Sequence, residues 1–503
     1  MKPIDPHYLD PYRPQIHYSC RTGWLSDPNG LFYYDGEYHL MFQNFSNRAK
    51  WDNSTDWGHA VSKDMLHWKH MPTALPHNAT IQCYSGCAVV DIKNESGLGD
   101  GKRPPVLAFY TRVHTPRHPT KQGNTIAIAY SLDKGETWVM PDDLSVVDNT
   151  ANPELKDERD PTVAWDKRSG KWVMATTGGG GLRVYTSANL LDWSFEGASF
   201  SVAGLECPDI SIMKVEETGE EKYLVITSTN SGQAPNSSHG TMYHVCDFDG
   251  TAFIQLGDKD KKRWLDWGSD FYAGITYASV PDGRVLFQSW FGWPCQWNSR
   301  LSRTTKFSGT MNVIRELTLH VDDSGEYHVR SRPIPEYEKL RRNPVTLSNV
   351  SVSDRYTVRD DIGSHEPVEL ILEAVLPEES TFGVRLKNGF GEDYYFKYDG
   401  WYEQFTSDRT NAGTLPNHIA GFPAGYNKLA QMPYRLSDGT LKLHIFFDVS
   451  TFEAFIDDGR EVFSELVYPR EPFTTLELFS FSGKAEVKAL KMFTLESIWA
   501  VDD

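Results

Sequence analysis

The 503-residue sequence lacks any long apolar run. No stretch approaches the roughly 20 consecutive apolar residues that a membrane helix needs, so we expect no membrane partner. The first residues, MKPIDPHYLDPYRP, contain no apolar segment of the kind that a signal peptide has. The sequence therefore favours a cytoplasmic protein, or a secreted one if it is the sequence of a mature chain.

Positive charge and cysteine are also scarce. Fifty Lys and Arg against 68 Asp and Glu give a formal net charge of −18 at pH 7. An acidic surface repels phosphate backbones, so we do not expect nucleic acid as a partner. Six cysteines are too few for a disulfide scaffold, and the CYSGC segment at Cys83–Cys87 has no matching His/Cys pair for zinc. We therefore expect no metal site.

Aromatic residues and short strand patterns are abundant. The chain is 13% aromatic, and aromatic side chains that are not needed in the core can stack on sugar rings. Over the first 330 residues, strand-like segments alternate with Gly, Pro, Asn and Asp turns. A strand-turn-Trp unit recurs at Ser62–Trp68, Ser131–Trp138 and Ser187–Trp193. Such a repeat suggests blades around an axis, as in a β-propeller.

The pattern changes near residues 333–343, where the charged, proline-rich segment RPIPEYEKLRRNP occurs. New alternating strands follow, such as PVELILEAVL and LKLHIFFDVSTFEAFIDDG, which are typical of a β-sandwich. We therefore predict an all-β chain with a propeller domain over residues 1–338 and a sandwich domain over residues 339–503. The sandwich could pack on the propeller or mediate a homodimer, and the sequence does not choose between the two.

Three acidic residues lie at predicted strand edges. Asp27 occurs in WLSDPNG, Asp160 in DERDPTV and Glu206 in GLECPDI. Each segment alone has a simpler interpretation, since DPNG is an ordinary turn and RDP is commonly a surface ion pair with a turn. Their combination is more informative, because the inner strands of a propeller converge on one channel. Carboxylates distant in sequence can meet there.

The order WxxDPNG, RDP and EC resembles glycoside hydrolase family 32, the β-fructofuranosidases, which include invertases, inulinases and levanases. WGHAVSKDMLHW at Trp57–Trp68, DFYAG at Asp270–Gly274, RELTL at Arg315–Leu319, and the segments YSGCAVVD and FFDVSTFEAFIDDG are similar to further family segments. The resemblance spans nearly the whole chain. It implies a five-bladed β-propeller followed by a β-sandwich.

The resemblance also implies a role for each carboxylate. Asp27 matches the nucleophile, Glu206 the general acid/base, and Asp160 the transition-state stabiliser that grips fructose hydroxyls. Attack of a carboxylate on C2, with protonation of the leaving oxygen, gives a covalent fructosyl-enzyme, which water then hydrolyses with retention. This chemistry requires neither a metal nor a cofactor.

The family's substrate-pocket positions carry over to eight further residues. These are Trp24, Asn29, Gln43, Trp51, Ser85, Arg159, Tyr272 and Trp290. Within this set, Asn29 is better suited to orienting Asp27 than to touching substrate, and Trp51 could equally belong to the core. Tyr272 is expected to hydrogen-bond within the carboxylate cluster. Cys207, beside Glu206, is expected to be a buried structural thiol.

Three departures from the family pattern concern the neighbourhood of the site. Ser26 stands where an Asn usually precedes the nucleophile, and Asp52 follows Trp51 where Gly is common. The segment SWFGWPCQW at Ser289–Trp297 replaces a GWMxNW segment. These departures put the leaving-group side of the pocket in doubt, and Ser26 suggests fructosyl transfer to sugar acceptors.

The sequence thus predicts a retaining, exo-acting β-fructofuranosidase that acts on sucrose and fructo-oligosaccharides, with transfructosylation at high sugar. An exo-levanase or exo-inulinase acting on fructan polymers is an alternative in the same class, and a fructosyltransferase is a close relative. A sugar-binding propeller that has lost catalysis is an alternative of a different class. The presence of all three carboxylates argues against it.

Overall fold

A computed structural model describes residues 2–49, 54–292, 304–413 and 429–501. The regular secondary structure of the described residues is β-strand apart from short 3₁₀ helices at Pro6–Tyr8 and Pro335–Leu340. No helix in these ranges is long and apolar enough to cross a membrane.

Five consecutive antiparallel sheets of four main strands form the first part of the chain. Blade 1 contains β1 (Gly23–Tyr34), β2 (Glu37–Phe45), β3 (Asp56–Ser62) and β4 (Lys69–Leu75). Blade 2 contains β5 (Ile81–Val90), β6 (Val106–His114), β7 (Gly123–Ser131) and β8 (Ser145–Asp148). Blade 3 contains β9 (Arg159–Asp166), β10 (Lys171–Gly178), β11 (Gly181–Ser187) and β12 (Ser194–Ala198).

Blade 4 contains β13 (Leu205–Lys214), β14 (Glu221–Thr229), β15 (Gly240–Phe248) and β16 (Phe253–Gln255). Blade 5 contains β17 (Phe271–Thr276), β18 (Val285–Phe291), β21 (Arg315–Val321) and β22 (Tyr327–Pro333). Two short strands lie between β18 and β21: β19 (Phe307–Ser308), which pairs with β1, and β20 (Thr310–Met311), which pairs with β18. The first strands of the blades, β1, β5, β9, β13 and β17, contact one another in a closed ring. The predicted five-bladed propeller is confirmed.

The recurring Ser-to-Trp unit is one turn that joins the third and fourth strands of blades 1, 2 and 3. In each turn the Ser hydroxyl donates to the side chain two residues later, and a non-glycine residue nearby adopts a left-handed conformation. The hydroxyl pairs are Ser62–Asp64 (3.1 Å), Ser131–Asp133 (2.8 Å) and Ser187–Asn189 (3.2 Å). The left-handed residues are Met65, Lys134 and Leu190. The repeat in the sequence therefore marks the blades.

Two six-stranded sheets form the second part of the chain and enclose a separate apolar core. One sheet has the order β23 (Arg341–Val352), β34 (Ala485–Leu495), β25 (Val368–Val375), β30 (Thr440–Asp448), β31 (Thr451–Ile456) and β32 (Glu461–Leu466). The other has the order β24 (Arg355–Arg359), β33 (Thr475–Phe481), β26 (Thr381–Lys387), β27 (Asp393–Asp399), β28 (Gln404–Asn411) and β29 (Leu429–Pro433). The predicted β-sandwich is confirmed.

The two parts meet at a short link and along a buried interface. The 3₁₀ helix Pro335–Leu340 links β22 to β23, and the division between residues 338 and 339 stays a prediction. The segment before β1 lies against the sandwich: the backbone N–H groups of Gln15 and Ile16 donate to Asp448 Oδ2 at 2.7 and 2.8 Å. The sandwich therefore contacts the propeller directly.

Candidate active site

The pairing of every inner strand of the propeller is interrupted by a register shift, and the residues at these shifts line one cavity. The strand pairings shift register near Asp27, Ser85, Asp160, Glu206 and Tyr272. Such bulges turn a side chain out of the regular alternation, and they occur frequently beside active sites. Here each bulge turns a residue towards the propeller axis.

Backbone strain accompanies three of these bulges. Asp160, Cys207 and Ala273 have φ angles of 56°, 43° and 56°, in the left-handed region that non-glycine residues seldom adopt. Such conformations persist where the surrounding fold imposes them, and they concentrate at functional sites.

The bulged ends of the inner strands surround a cavity of about 240 Å³. Nine of the residues predicted from the sequence line it: Trp24, Asp27, Gln43, Ser85, Arg159, Asp160, Glu206, Tyr272 and Trp290. The three carboxylates, which are 179 residues apart at the extremes (206 − 27), therefore share one pocket. Trp51 lies outside the described residues, and its predicted role stays a prediction.

Asp27 is held by neutral hydrogen-bond donors. Ser85 Oγ donates to Asp27 Oδ2 at 2.7 Å, and Gln43 Nε2 donates to the same oxygen at 3.2 Å. Gln43 Nε2 also lies 2.5 Å from Ser85 Oγ, which fixes the hydroxyl between amide and carboxylate. The thiol of Cys207 lies 3.6 Å from Asp27 Oδ2. These contacts fix the carboxylate without neutralising it.

Glu206 is held by one cation and one phenol. Arg159 Nη2 donates to Glu206 Oε1 at 3.1 Å, and the Tyr272 hydroxyl donates to Glu206 Oε2. Asp160 Oδ2 lies 3.6 Å from Arg159 Nε and accepts the Cys207 backbone N–H at 3.0 Å. Arg159 thus places its positive charge beside two of the three carboxylates, Asp160 and Glu206.

Burial and mutual repulsion govern ionisation in this pocket. Burial raises the pKa of Asp27 to about 6; the charges of Asp160 and Glu206 also raise it, whereas the Ser85 hydrogen bond lowers it. Burial likewise raises the pKa of Asp160, and the neighbouring Arg159 opposes that shift. In the free protein, a pKa of about 6 leaves Asp27 about half ionised near pH 6 and mostly ionised only at higher pH.

Asn29 lies behind the pocket wall, which corrects its assignment to the substrate-contacting set. It is fully buried and is absent from the residues that line the cavity in the described part of the chain. With the amide assigned to satisfy both ends, its oxygen accepts from Gln43 N at 3.1 Å and Trp57 Nε1 at 3.3 Å. Asn29 therefore secures the turn and β2 rather than a ligand.

The pocket also contains residues that sequence reasoning did not assign to it. Tyr84, Asn230 and His239 line the cavity, and the ring of His239 meets that of Tyr272 edge-on at 5.1 Å. Tyr84 adjoins Ser85 and could have been inferred from that position. Asn230 and His239 lie on the loop between β14 and β15, whose sequence, NSGQAPNSSHG, contains no catalytic pattern.

Two pocket groups have no partner among the described residues. The indole Nε1 of Trp24 and the hydroxyl of Ser26 are buried, line the cavity, and make no hydrogen bond there. Buried donors of this kind are costly unless satisfied, so a bound sugar hydroxyl is a suitable partner for each. The Ser26 hydroxyl does not donate to Asp27, whose side-chain donors among the described residues include Ser85 and Gln43.

The comparison with protein-family models identifies the class to which this fold and site belong. The model described as "Glycosyl hydrolases family 32 N-terminal domain" matches residues 17–333, and "Glycosyl hydrolases family 32 C terminal" matches residues 336–494. The chain belongs to glycoside hydrolase family 32 and is a glycosidase of that family.

The names of its relatives describe enzymes that act on fructose-containing sugars. The levanase of Bacillus subtilis (strain 168) is 32% identical over 504 residues, which cover 98% of this chain and 72% of the relative. The levanase of Bacillus sp. (strain L7) is 33% identical, and this chain spans about half of it (54%). The extracellular exo-inulinase of Aspergillus awamori is 30% identical, with 98% of this chain and 96% of the relative covered. The crystal structure of exo-inulinase from that organism superimposes with a TM-score of 0.86 at 29% identity, covering 98% of this chain and 100% of that chain.

Proposed function

We propose that this protein is a retaining, exo-acting β-fructofuranosidase that releases terminal β-D-fructosyl residues from sucrose and fructo-oligosaccharides. The observation that carries the proposal is the meeting of Asp27, Asp160 and Glu206 in one pocket, each with different hydrogen-bond partners. Different environments let three carboxyl groups take different roles in one reaction.

In this proposal Asp27 attacks C2 of the fructosyl unit, and Glu206 protonates the departing oxygen. The C2–O bond to the leaving sugar breaks as the Asp27–C2 bond forms, and water later attacks C2 while Glu206 accepts its proton. Arg159 and Tyr272 orient the Glu206 carboxyl through their hydrogen bonds. Asp160 accepts hydroxyl hydrogen bonds that strengthen as positive charge develops on the ring.

The shape of the pocket supports cleavage at a chain end. Beneath the carboxylates, between Cys87, Thr162, Asp209 and Ile275, the propeller axis narrows to a void of about 10 Å³, room for one water at most. A sugar chain therefore cannot pass through the axis. The pocket accepts a terminal residue and leaves the rest of the substrate outside.

Fructan polymers are a second candidate substrate, which the names of the relatives favour. Two of the relatives at 30% identity or more are levanases, and a third is an exo-inulinase. Incubation of the protein with sucrose, inulin and levan separates the candidates by relative kcat/KM. Release of free fructose as the first product from all chain lengths is expected, and internal cleavage to short oligomers would contradict the exo-acting proposal.

We further propose that the protein transfers fructose to sugar acceptors at high sucrose. The space beside Ser26, whose hydroxyl lacks a partner among the described residues, supports this, as does the aromatic wall of Trp24 and Trp290. In concentrated sucrose we expect less free fructose than free glucose, because transfer retains the fructosyl unit. Equal amounts at every concentration, unchanged in Ser26→Asn, would refute transfer.

Compartment and oligomeric state stay predictions. The word "extracellular" in the name of one relative favours the secreted alternative over the cytoplasmic one. Light scattering on the purified full chain distinguishes a monomer from the homodimer that the sequence leaves open.

A further inference from the structure

The stretch that leads into β17, residues 266–270, lies along β32 of the sandwich. Trp267 N donates to Val462 O at 2.8 Å, and Ser464 N donates to the Asp266 carboxylate at 2.9 Å. At Gly268 the approach is so close that a Cβ would meet Ser464 O at 1.9 Å. Blade 5 is therefore held to the sandwich immediately before its inner strand begins.

Arg409 fixes the last residue of this stretch. It comes from β28 in the other sheet of the sandwich, and only 1% of its side chain is exposed. Its Nη1 lies 2.6 Å from Asp270 Oδ2 and 2.8 Å from Glu465 Oε2, and it donates to Leu466 O at 2.8 Å. Leu466 N donates to the same Asp270 oxygen at 2.9 Å. The Asp270 carboxylate thus accepts hydrogen bonds from one side chain and one backbone N–H of the sandwich.

Asp270 is two residues from the active site. Its backbone carbonyl accepts the Gly292 N–H at 3.0 Å, next to β18, and Tyr272 follows on β17. The Tyr272 hydroxyl donates to Glu206, which our proposed function makes the acid/base. Because an extended strand rises about 3.4 Å per residue, Tyr272 lies only about 7 Å along the chain from Asp270.

We propose that Arg409, although it belongs to the sandwich, is a positioning residue for the acid/base of the propeller active site. It holds Asp270, Asp270 fixes the start of β17, and β17 places the Tyr272 hydroxyl against Glu206. The proposal rests on the proposed role of Glu206. Under it, the sandwich contributes to the pH dependence of catalysis as well as to stability.

Other charged groups face these residues and define what the test must control. Near Arg409 and Asp270, the buried interface contains His17, Asp266, Arg315, Asp448, Glu453 and Glu465. Around Glu206 lie the titratable groups of the cavity, which are Asp27, Tyr84, Arg159, Asp160, Cys207, His239 and Tyr272. Removal of Arg409 alone would leave Asp270 and Glu465 as buried carboxyls without their cation, so milder variants are needed.

The experiment compares Arg409→Lys and the double variant R409M/D270N with wild type, all as full chains. The first keeps the charge and loses the guanidinium geometry; the second removes both members of the pair together. Arg385→Met is the matched control, because Arg385 pairs with Asp393 at 2.6 Å and Glu477 at 3.1 Å inside the sandwich. The measurements are kcat and KM on sucrose against pH, with thermal unfolding in parallel.

Loss of the Tyr272 hydrogen bond removes a donor that holds the Glu206 carboxyl in place and stabilises its ionised form. We expect the basic limb of the kcat/KM profile to move upward by about half a unit to one unit in both variants. We expect kcat to fall by on the order of tenfold with little change in KM. Tyr272→Phe should shift the same limb in the same direction, and combining it with Arg409→Lys should add little.

A lower melting temperature with an unmoved basic limb in both variants would overturn the proposal, since Arg409 would then only stabilise the interface. A shift of the same size in Arg385→Met would overturn it as well. If R409M/D270N does not fold, the position of the basic limb of the kcat/KM profile in Arg409→Lys and Asp270→Asn tests the proposal instead. Failure of the wild-type protein to release fructose from any substrate would instead refute the proposed function. Fructose release by the wild-type protein is therefore measured first.

Discussion

If Asp27 is the nucleophile that we propose, its hydrogen bond from Ser85 should set the acid side of the pH profile, and Ser85→Ala tests this directly. Ser85 Oγ donates to Asp27 Oδ2 at 2.7 Å. The pKa of Asp27, about 6, is raised by burial and is held from rising further by this hydrogen bond. Alanine removes the donor and leaves the fold of β5 unchanged. The ionised form of Asp27 loses stabilisation, so its pKa should rise further.

The size of the shift follows from the remaining contacts. A hydrogen bond to a charged group contributes about 1.5–3 kcal/mol, and Gln43 Nε2, at 3.2 Å, stays in place to compensate in part. A net loss of about 1.4 kcal/mol corresponds to about one pKa unit. We therefore expect the acid limb of kcat/KM to move from near pH 6 to near pH 7.

The assay is the initial rate of fructose release at low substrate, measured from pH 4 to pH 9. Low substrate reports kcat/KM and hence the ionisation of the free enzyme. Ser480→Ala is the control, because Ser480 is a buried serine of the sandwich whose hydroxyl donates to Gly483 O at 3.0 Å. An acid limb that stays in place in Ser85→Ala, or moves to lower pH, would refute the assignment of that limb to Asp27.

Asp27→Ala should reduce sucrose turnover by at least about 10⁴-fold in a folded protein, and near-normal turnover would exclude it as the nucleophile. Glu206→Gln should lose far more activity on sucrose than on an aryl fructoside, whose leaving group needs no proton; equal losses would contradict the acid role. Asp160→Asn should lower kcat more than it raises KM, and a pure KM effect in steady-state kinetics would contradict transition-state stabilisation. Trp24→Phe should raise KM, because the indole N–H has no partner among the described residues, and should lower the melting temperature, because it shrinks a fully buried side chain; an unchanged KM would show that the indole does not contact the sugar.

The features predictable from the sequence were those encoded in short, local segments. The strand-turn-Trp unit repeats because each copy closes the same turn, and the three carboxylates lie in recognisable turn sequences. Nine predicted residues line one cavity because seven lie on the inner strands, and Gln43 and Trp290 lie on the second strands of blades 1 and 5 beside them. Asn29, which the sequence suited better to orienting Asp27 than to touching substrate, is fully buried and does not line the cavity; its amide contacts β2 and Trp57 instead.

The features that could not be predicted depend on contacts between distant segments. Arg409 and Asp270 are 139 residues apart, and nothing in either segment marks its partner. His239 reaches the pocket through the path of a loop, which polar and glycine residues permit but do not specify. Such placements follow from the packing of the two domains.

The left-handed conformations of Asp160, Cys207 and Ala273 have a consequence for engineering this protein. Each costs about 1–3 kcal/mol that a glycine at the same position would not incur. Glycine at these bulges would keep the backbone path and relieve the strain, but at Asp160 it would also remove the carboxylate to which we propose a catalytic role. At Asp160 thermostability and activity are in competition, so a stabilised variant is better sought in the sandwich core or the outer strands.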